Sequence, residues 1–229
     1  MSRLVVITGG TRGIGAAIAR RFTDAGDKVV ALGSADLDVT LEDQVADVLG
    51  SLEVDVLVNN AGIATSAPVH RTTLDDWRAQ LEVNATGAFL CTRAVLPGMR
   101  KRDRGRIVTV ASTAAHVGQP YTAGYTASKH AAVGLMRTVA AEVAGSGVTA
   151  NAVCPAFVRT DMTAATVARI ASATGQSHED SESAIARLSP LGRLLEPDEV
   201  AFAVAFLAAP EAGAINGQTI VLDGGGIQL

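Results

Sequence analysis

Apolar positions along the chain fall into two kinds of run. Short, continuous, β-branched runs recur at 4–8, 28–32, 54–58, 106–110, 148–153 and 218–222, and such a run without polar alternation suits a strand covered on both faces. Between them, apolar residues recur at helical spacing. Ile14, Ile18, Ala19 and Phe22 lead to a glycine C-cap at Gly26, and Leu41, Val45, Val48, Leu49 and Leu52 mark a second helix. Thr72 or Thr73 can cap a third, with acids in its first turn, running through Trp77, Leu81, Val83, Phe89 and Leu90 to about Met99. An alanine-rich run spans Ala127 to Ala144, and a last helix starts with Pro197 at its first position and ends near Ala208. Strand and helix alternate, which predicts an α/β fold: a doubly wound, mostly parallel sheet with helices on both faces.

The rhythm breaks twice. After the second strand the chain reaches Asp38-Val39-Thr40 within a few residues, and the next helical pattern already starts at Leu41. Parallel neighbours need a crossover of roughly a dozen residues. The helix that customarily follows the second strand is therefore predicted to be missing, and the third strand to be missing or reduced to a stub. In 161–189, Met162 to Ala173 reads as helix, Thr174 to Ser183 as a polar stretch, and Ala184 to Leu188 as a possible short helix. This segment is predicted to cover a pocket.

Composition narrows the function classes. With 229 residues, 48% of them hydrophobic, the chain can bury one sizeable core, so 1–229 is read as a single domain. The net charge is −4, and the one basic cluster, Arg100 to Arg104, reads as a solvated loop rather than a nucleic-acid footprint. Cys91 and Cys154 sit in apolar segments without metal or disulfide spacing and read as buried thiols. The chain opens on a strand-like run rather than a leader, and no apolar stretch reaches membrane-spanning length, so a cytoplasmic protein with a small-molecule substrate is expected.

Candidate chemistry lies where strands end. Gly9-Gly10-Thr11-Arg12-Gly13-Ile14-Gly15 stands between a strand and a helix, where backbone N–H groups favour a diphosphate and glycines let it approach. At the end of the second strand stand Gly33-Ser34 rather than a carboxylate. A carboxylate there would hold a ribose and repel a 2′-phosphate, so with Arg12 near the turn the reading favours NADP(H) over NAD(H), although Asp36 lies close by. Asn59-Asn60-Ala61-Gly62 follows the next strand and suits either a crevice for a flat ring or an Asx turn. Asn84 falls inside a predicted helix, either on its surface or disturbing it to aim an amide inward. Ser112 ends another strand, and Tyr125 and Lys129 follow, one helical turn apart on one face. An ammonium beside a phenol favours the phenolate and lowers its pKa from about 10, which would let the tyrosine exchange protons near neutral pH.

These motifs, in order and spacing, resemble the short-chain dehydrogenase/reductase family over essentially the whole length: the glycine turn at 8–15, Asn59 to Gly62, Asn84, Ser112, Tyr125 with Lys129, and Pro155 to Thr160. The resemblance implies hydride transfer between a nicotinamide and a carbonyl or alcohol. Tyr125 would exchange the proton, Lys129 would lower the tyrosine pKa and hold the nicotinamide ribose, Ser112 would bind the substrate oxygen, and Asn84 would position a relay water. Gly9, Arg12, Gly13, Ile14 and Gly15 would hold the diphosphate, Ser34 the ribose or its phosphate, and Asp38 and Val39 the adenine. Asn60, Ala61 and Gly62 would line the middle of the cofactor, and Pro155, Val158 and Thr160 the nicotinamide end. Ala156 departs from a common glycine. The tail from Leu188 resembles bacterial 3-oxoacyl-thioester reductases and 3-hydroxyacyl dehydrogenases, and a homotetramer built on 84–100 and 125–144 is implied. Two alternatives stand beside the reductase: an NAD(H)-dependent dehydrogenase of a sugar, polyol or 3-hydroxy acid, and a dinucleotide-binding regulator without catalysis.

Overall fold

The computed structural model describes residues 2–228. Six parallel strands form one sheet: β1 (Leu4–Thr8), β2 (Lys28–Leu32), β3 (Val56–Asn59), β4 (Gly105–Val110), β5 (Val148–Pro155) and β6 (Thr219–Leu222), in the order β2-β1-β3-β4-β5-β6. On one face α1 (Gly13–Asp24) packs against α8 (Pro197–Leu207), with Ile7, Ile18, Phe22, Val204 and Leu207 in its core. On the other face lie α2 (Glu42–Leu49), α4 (Gly87–Lys101) and α5 (Ala123–Glu142), packed over Leu57, Met99, Ile107 and Met136. The fold is the single-domain, doubly wound α/β sheet expected from the alternating pattern.

Strand order reverses between β1 and β3, and such a switch point leaves a crevice beyond the carboxyl ends of the strands. The turns after β1, β3, β4 and β5 all open onto that edge.

The clipped segment behaves as the spacing requires. No helix and no strand intervene between β2 and α2, which leaves β2 as the edge strand. Leu37 and Val39 are nevertheless buried in the α2–α4 layer. They fill the core that a longer crossover would have supplied.

Two helix boundaries differ from the pattern. The long helix expected from Thr72 to Met99 is three pieces: α3 (Leu74–Leu81), a π-helical turn (Glu82–Thr86) and α4. The start was legible, since Thr73 accepts from Asp76 N at 3.0 Å. The polar stretch before Ala184 is mostly helix: α6 (Asp161–Thr174) is followed by α7 (His178–Ala186). Ser177 caps α7 by accepting from Asp180 N at 3.0 Å, and Glu179 and Asp180 favour its positive end. Val167 of α6, Ile185 of α7 and Leu194 form a small apolar cluster of their own. Among the described residues no helix is long and apolar enough to cross a membrane.

Candidate active site

The glycine turn is built by close backbone approach. A Cβ on Gly15 would stand 2.1 Å from the Gly9 carbonyl oxygen, and Gly9 itself takes a φ of +62° with Ala61 Cα 3.0 Å from where its Cβ would be. Only glycine fits either position. Asn60 Nδ2 donates to the carbonyls of Thr8 and Gly9 at 3.0 and 2.9 Å, and Thr8 Oγ1 accepts from the backbone N–H of Asn60 and Ala61, both at 3.1 Å. The ends of β1 and β3 are thus stitched into one rim. α1 begins there with Arg12 as N-cap, no side-chain cap and no acid in its first turn, whereas Thr73, Thr160 and Ser177 cap α3, α6 and α7. Uncapped N–H groups at a glycine cradle fit a diphosphate.

One cleft gathers Gly9, Arg12, Gly13, Ile14, Gly15, Asn60, Ala61, Gly62, Tyr125, Lys129 and Thr160, together with Val110, Ala111, Asp161 and Met162. The other expected residues lie outside this lining. Ser34 is exposed in the turn after β2, where Asp36 folds back to accept from Gly33 N at 2.8 Å. Asp38 accepts from Thr40 N and Oγ1 at 3.0 and 2.7 Å, bonds that hold its carboxyl below the usual value. Val39 turns toward α4, where a Cβ on Gly87 would meet it at 2.6 Å. Pro155 and Val158 are buried, Val158 bridging to Leu195.

Tyr125 and Lys129 share one face of α5. Lys129 is 6% exposed, its Nζ donates to the Val110 carbonyl at 2.9 Å, and it stands 5.6 Å from the centre of the Tyr125 ring. Burial lowers the ammonium's pKa to about 8. For Tyr125 the sequence-based expectation fails in sign: its pKa is raised, chiefly by burial; the Ser112 hydroxyl partly opposes this, and Cys154 adds a smaller rise. Tyr125 keeps some surface toward the cleft. Even so, the protein around the phenol penalises the phenolate more than Ser112 stabilises it. The ammonium donates to a carbonyl and stands beside the ring, within reach of charge that develops on the phenol.

Ser112 stands at the end of β4, 8% exposed, and its Oγ accepts from Ala114 N at 3.1 Å. Asn84 sits in the π-turn, 3% exposed. The extra residue in that turn rotates its amide inward, where Oδ1 accepts from Ile63 N at 2.9 Å and Nδ2 donates to Ile63 O at 3.0 Å and to Ser128 Oγ at 2.9 Å. Its side chain therefore clamps the segment beyond Gly62 to α5.

Other site residues were not singled out by the sequence. Thr8 was readable as the end of an apolar strand and the first residue of the glycine-turn motif, but not as the acceptor that ties β3 to it. Gln80, 1% exposed, accepts from Thr65 N at 3.1 Å and extends the clamp one turn before Asn84; two amides four residues apart were the available signal. Beside the site, His116 Nε2 lies 3.3 Å from Cys154 Sγ. Burial pushes the thiol up to about 11 and lowers the histidine, with Arg137 and His130 adding to the latter.

A family model described as enoyl-(acyl carrier protein) reductase matches residues 32–226. The chain belongs to the short-chain dehydrogenase/reductase family. It is an NAD(P)-dependent oxidoreductase. Curated relatives include an acetoacetyl-CoA reductase of Shinella zoogloeoides, 39% identical over 98% of both chains. A 3-oxoacyl-[acyl-carrier-protein] reductase of Vibrio cholerae is 35% identical over 97% of this chain and 96% of its own. Among solved structures, the ligand-free aldohexose dehydrogenase of Thermoplasma acidophilum superposes with a TM-score of 0.91 at 33% identity, covering 98% of this chain and 93% of that one. An actinorhodin polyketide ketoreductase variant with NADPH gives 0.90 at 32%, covering 98% and 97%.

Proposed function

We propose that the chain is an NADP(H)-dependent reductase of a ketone carbonyl, with a 3-oxoacyl thioester as the substrate class. The observation that carries this reading is one cleft joining an uncapped glycine cradle to Tyr125 and Lys129, with Ser112 at the adjoining strand end. Bound nicotinamide would supply the hydride. Gly9, Arg12, Gly13, Ile14 and Gly15 would hold its diphosphate, Ser34 the ribose or its phosphate, Asp38 and Val39 the adenine side, Asn60, Ala61 and Gly62 the middle, and Pro155, Val158 and Thr160 the nicotinamide end.

Ser112 hydrogen-bonds the carbonyl oxygen and fixes it beside the phenol. Tyr125 gives its proton to that oxygen as negative charge develops there, and a phenol kept protonated by burial is ready for this direction. Lys129, with a pKa of about 8, is mostly charged at neutral pH and stabilises the phenolate left behind. Asn84 acts as a positioning residue: it fixes the Ile63 segment and Ser128, and it would position a relay water beside Lys129. The segment 161–189 covers the substrate; α6 is pinned by Arg169 donating to Ser66 Oγ at 2.7 Å, and α7 by Arg159 with Glu182 at 2.9 Å.

Preference for NADP(H) is supported by Ser34 in place of a carboxylate at the end of β2, by Asp36 being committed to Gly33, and by the exposed Arg12 at the start of α1. The names of the two reductases above support the thioester class. The expected assembly is a cytoplasmic homotetramer across α4 and α5. Phe89, 41% exposed on α4 beneath Arg93, lies on such a face.

Initial rates on acetoacetyl-CoA with each cofactor test the reading, and kcat/KM should favour NADPH over NADH by at least about tenfold, the effect of one favourable charge contact. The aldohexose dehydrogenase likeness favours a second reading, an NAD(H)-dependent sugar or polyol dehydrogenase. Higher kcat/KM with NAD⁺ and an aldose would select it.

A further inference from the structure

We propose that Tyr121 reads the non-reacting tail of the substrate, its ring forming an apolar lip at the mouth of the cleft; this rests on the carbonyl-reductase reading above. The connection from β4 to α5 starts at Ser112 and ends at Tyr125, so it frames the position of the reacting carbonyl. Near its end, Gln119-Pro120-Tyr121-Thr122 forms a turn closed by Thr122 N donating to Gln119 O at 3.4 Å. Thr122 Oγ1 donates to the same oxygen at 2.9 Å.

Proline at the second position and a positive φ at the third are the marks of a type II turn, whose third position favours glycine or asparagine. This chain places tyrosine there, with a φ of 69°. A left-handed backbone is costly for a bulky side chain. Packing does not compensate for it, because Tyr121 is 62% exposed.

The strained residue is also held firmly. Ala67 N donates to Tyr121 O at 2.8 Å, joining the loop after β3 to the loop after β4. Thr122 Oγ1 and Thr126 Oγ1 share a hydrogen bond of 2.9 Å that ties the turn to the first turn of α5. The same two loops carry Val69, 74% exposed, and Val117, 39% exposed.

With Tyr121 mostly exposed, packing within the chain accounts for little of the ring, yet a firmly held turn presents it four residues before the proton donor. A ligand accounts for it. The cofactor cradle occupies the ends of β1 and β3, so a tail attached to a carbonyl between Ser112 and Tyr125 departs past the junction of Ala67 and Tyr121. An alkyl or acyl chain would cover the exposed ring there.

The test compares the wild-type enzyme with Tyr121→Phe, Tyr121→Ala and Tyr121→Gly. Two substrate series are used with NADPH: N-acetylcysteamine thioesters from acetoacetyl to 3-oxodecanoyl, and plain 2-ketones of matching length. The long-to-short ratio of kcat/KM should fall about tenfold in the alanine and glycine variants, the effect of losing one apolar ring contact, and should persist in Tyr121→Phe. Tyr121→Gly should in addition raise Tm by about 2 °C, because glycine accepts the positive φ. An unchanged ratio in Tyr121→Ala and Tyr121→Gly overturns the proposal, whatever the Tm. If the wild type reduces neither series, the reductase reading fails instead. Tail contact is then decided by calorimetric binding of decanoyl-N-acetylcysteamine, and equal affinity for wild type and Tyr121→Ala overturns it.

Discussion

Replacing Asn84 with alanine should cost far more than losing a helical surface residue. Three hydrogen bonds of 2.9 to 3.0 Å disappear at a position only 3% exposed. The Ser128 hydroxyl loses a buried partner, and the Ile63 N–H and C=O lose theirs at a half-buried position. At about 1 kcal/mol net per bond, with a larger cost where a buried group finds no substitute, the loss should be about 3 kcal/mol. For a chain of this size that corresponds to a fall in Tm of roughly 6–12 °C. Calorimetry or urea denaturation measures it. Asn84→Asp should be no better at neutral pH, since it sets a carboxylate against the Ile63 carbonyl, but it should recover stability as pH falls and the acid becomes a donor. Dinucleotide affinity should weaken in parallel, because a Cβ on Gly62 would stand only 3.2 Å from Asn84 Oδ1 and 3.7 Å from Lys129 Nζ, and the clamp keeps that approach. A loss below about 1 kcal/mol for Asn84→Ala would refute the reasoning. The π-turn would then hold its shape without the side chain.

Lys129 sets a pH dependence of definite sign. Its folded-state pKa of about 8 lies below the ordinary 10.5, so between those values the unfolded chain binds a proton that the folded chain does not. Stability attributable to this residue should therefore rise with pH from about 8 to 10.5, by at most about 3 kcal/mol, and the rise should be absent in Lys129→Met; parallel denaturation curves across that range show whether it is. Reductase turnover should decline above about pH 8 as the ammonium is lost. Gly15→Ala should abolish NADPH binding measured by fluorescence titration, because its Cβ would fall 2.1 Å from Gly9 O; an affinity near the wild-type value would show that the turn can open.

Much of this molecule was legible in its sequence because parallel strands buried on both faces leave unbroken apolar runs. Each of the six was readable, and even the missing crossover followed from counting residues between Ser34 and Leu41. The glycine turn was equally plain, since no other residue fits Gly15. Less of the site could be read. Asn84 stood out as a misfit in a helix, but a π-turn arises from three-dimensional demand: its amide must reach Ile63 and Ser128, which are 21 and 44 residues away. α7 was misread because its polar composition hid a capping serine. The rise in the Tyr125 pKa was invisible for a further reason. Spacing puts Lys129 one turn away, but the burial that raises the phenol comes from the packing of elements far apart in the chain.

Tyr125→Phe tests the central claim most directly, since it removes one hydroxyl and keeps the ring that lines the cleft. Turnover of acetoacetyl-CoA with NADPH should fall by about a thousandfold, the scale of a lost proton donor. The NADPH dissociation constant should stay within about threefold of wild type, well under 1 kcal/mol. Turnover within a few-fold of wild type would contradict the assignment of the proton transfer to Tyr125.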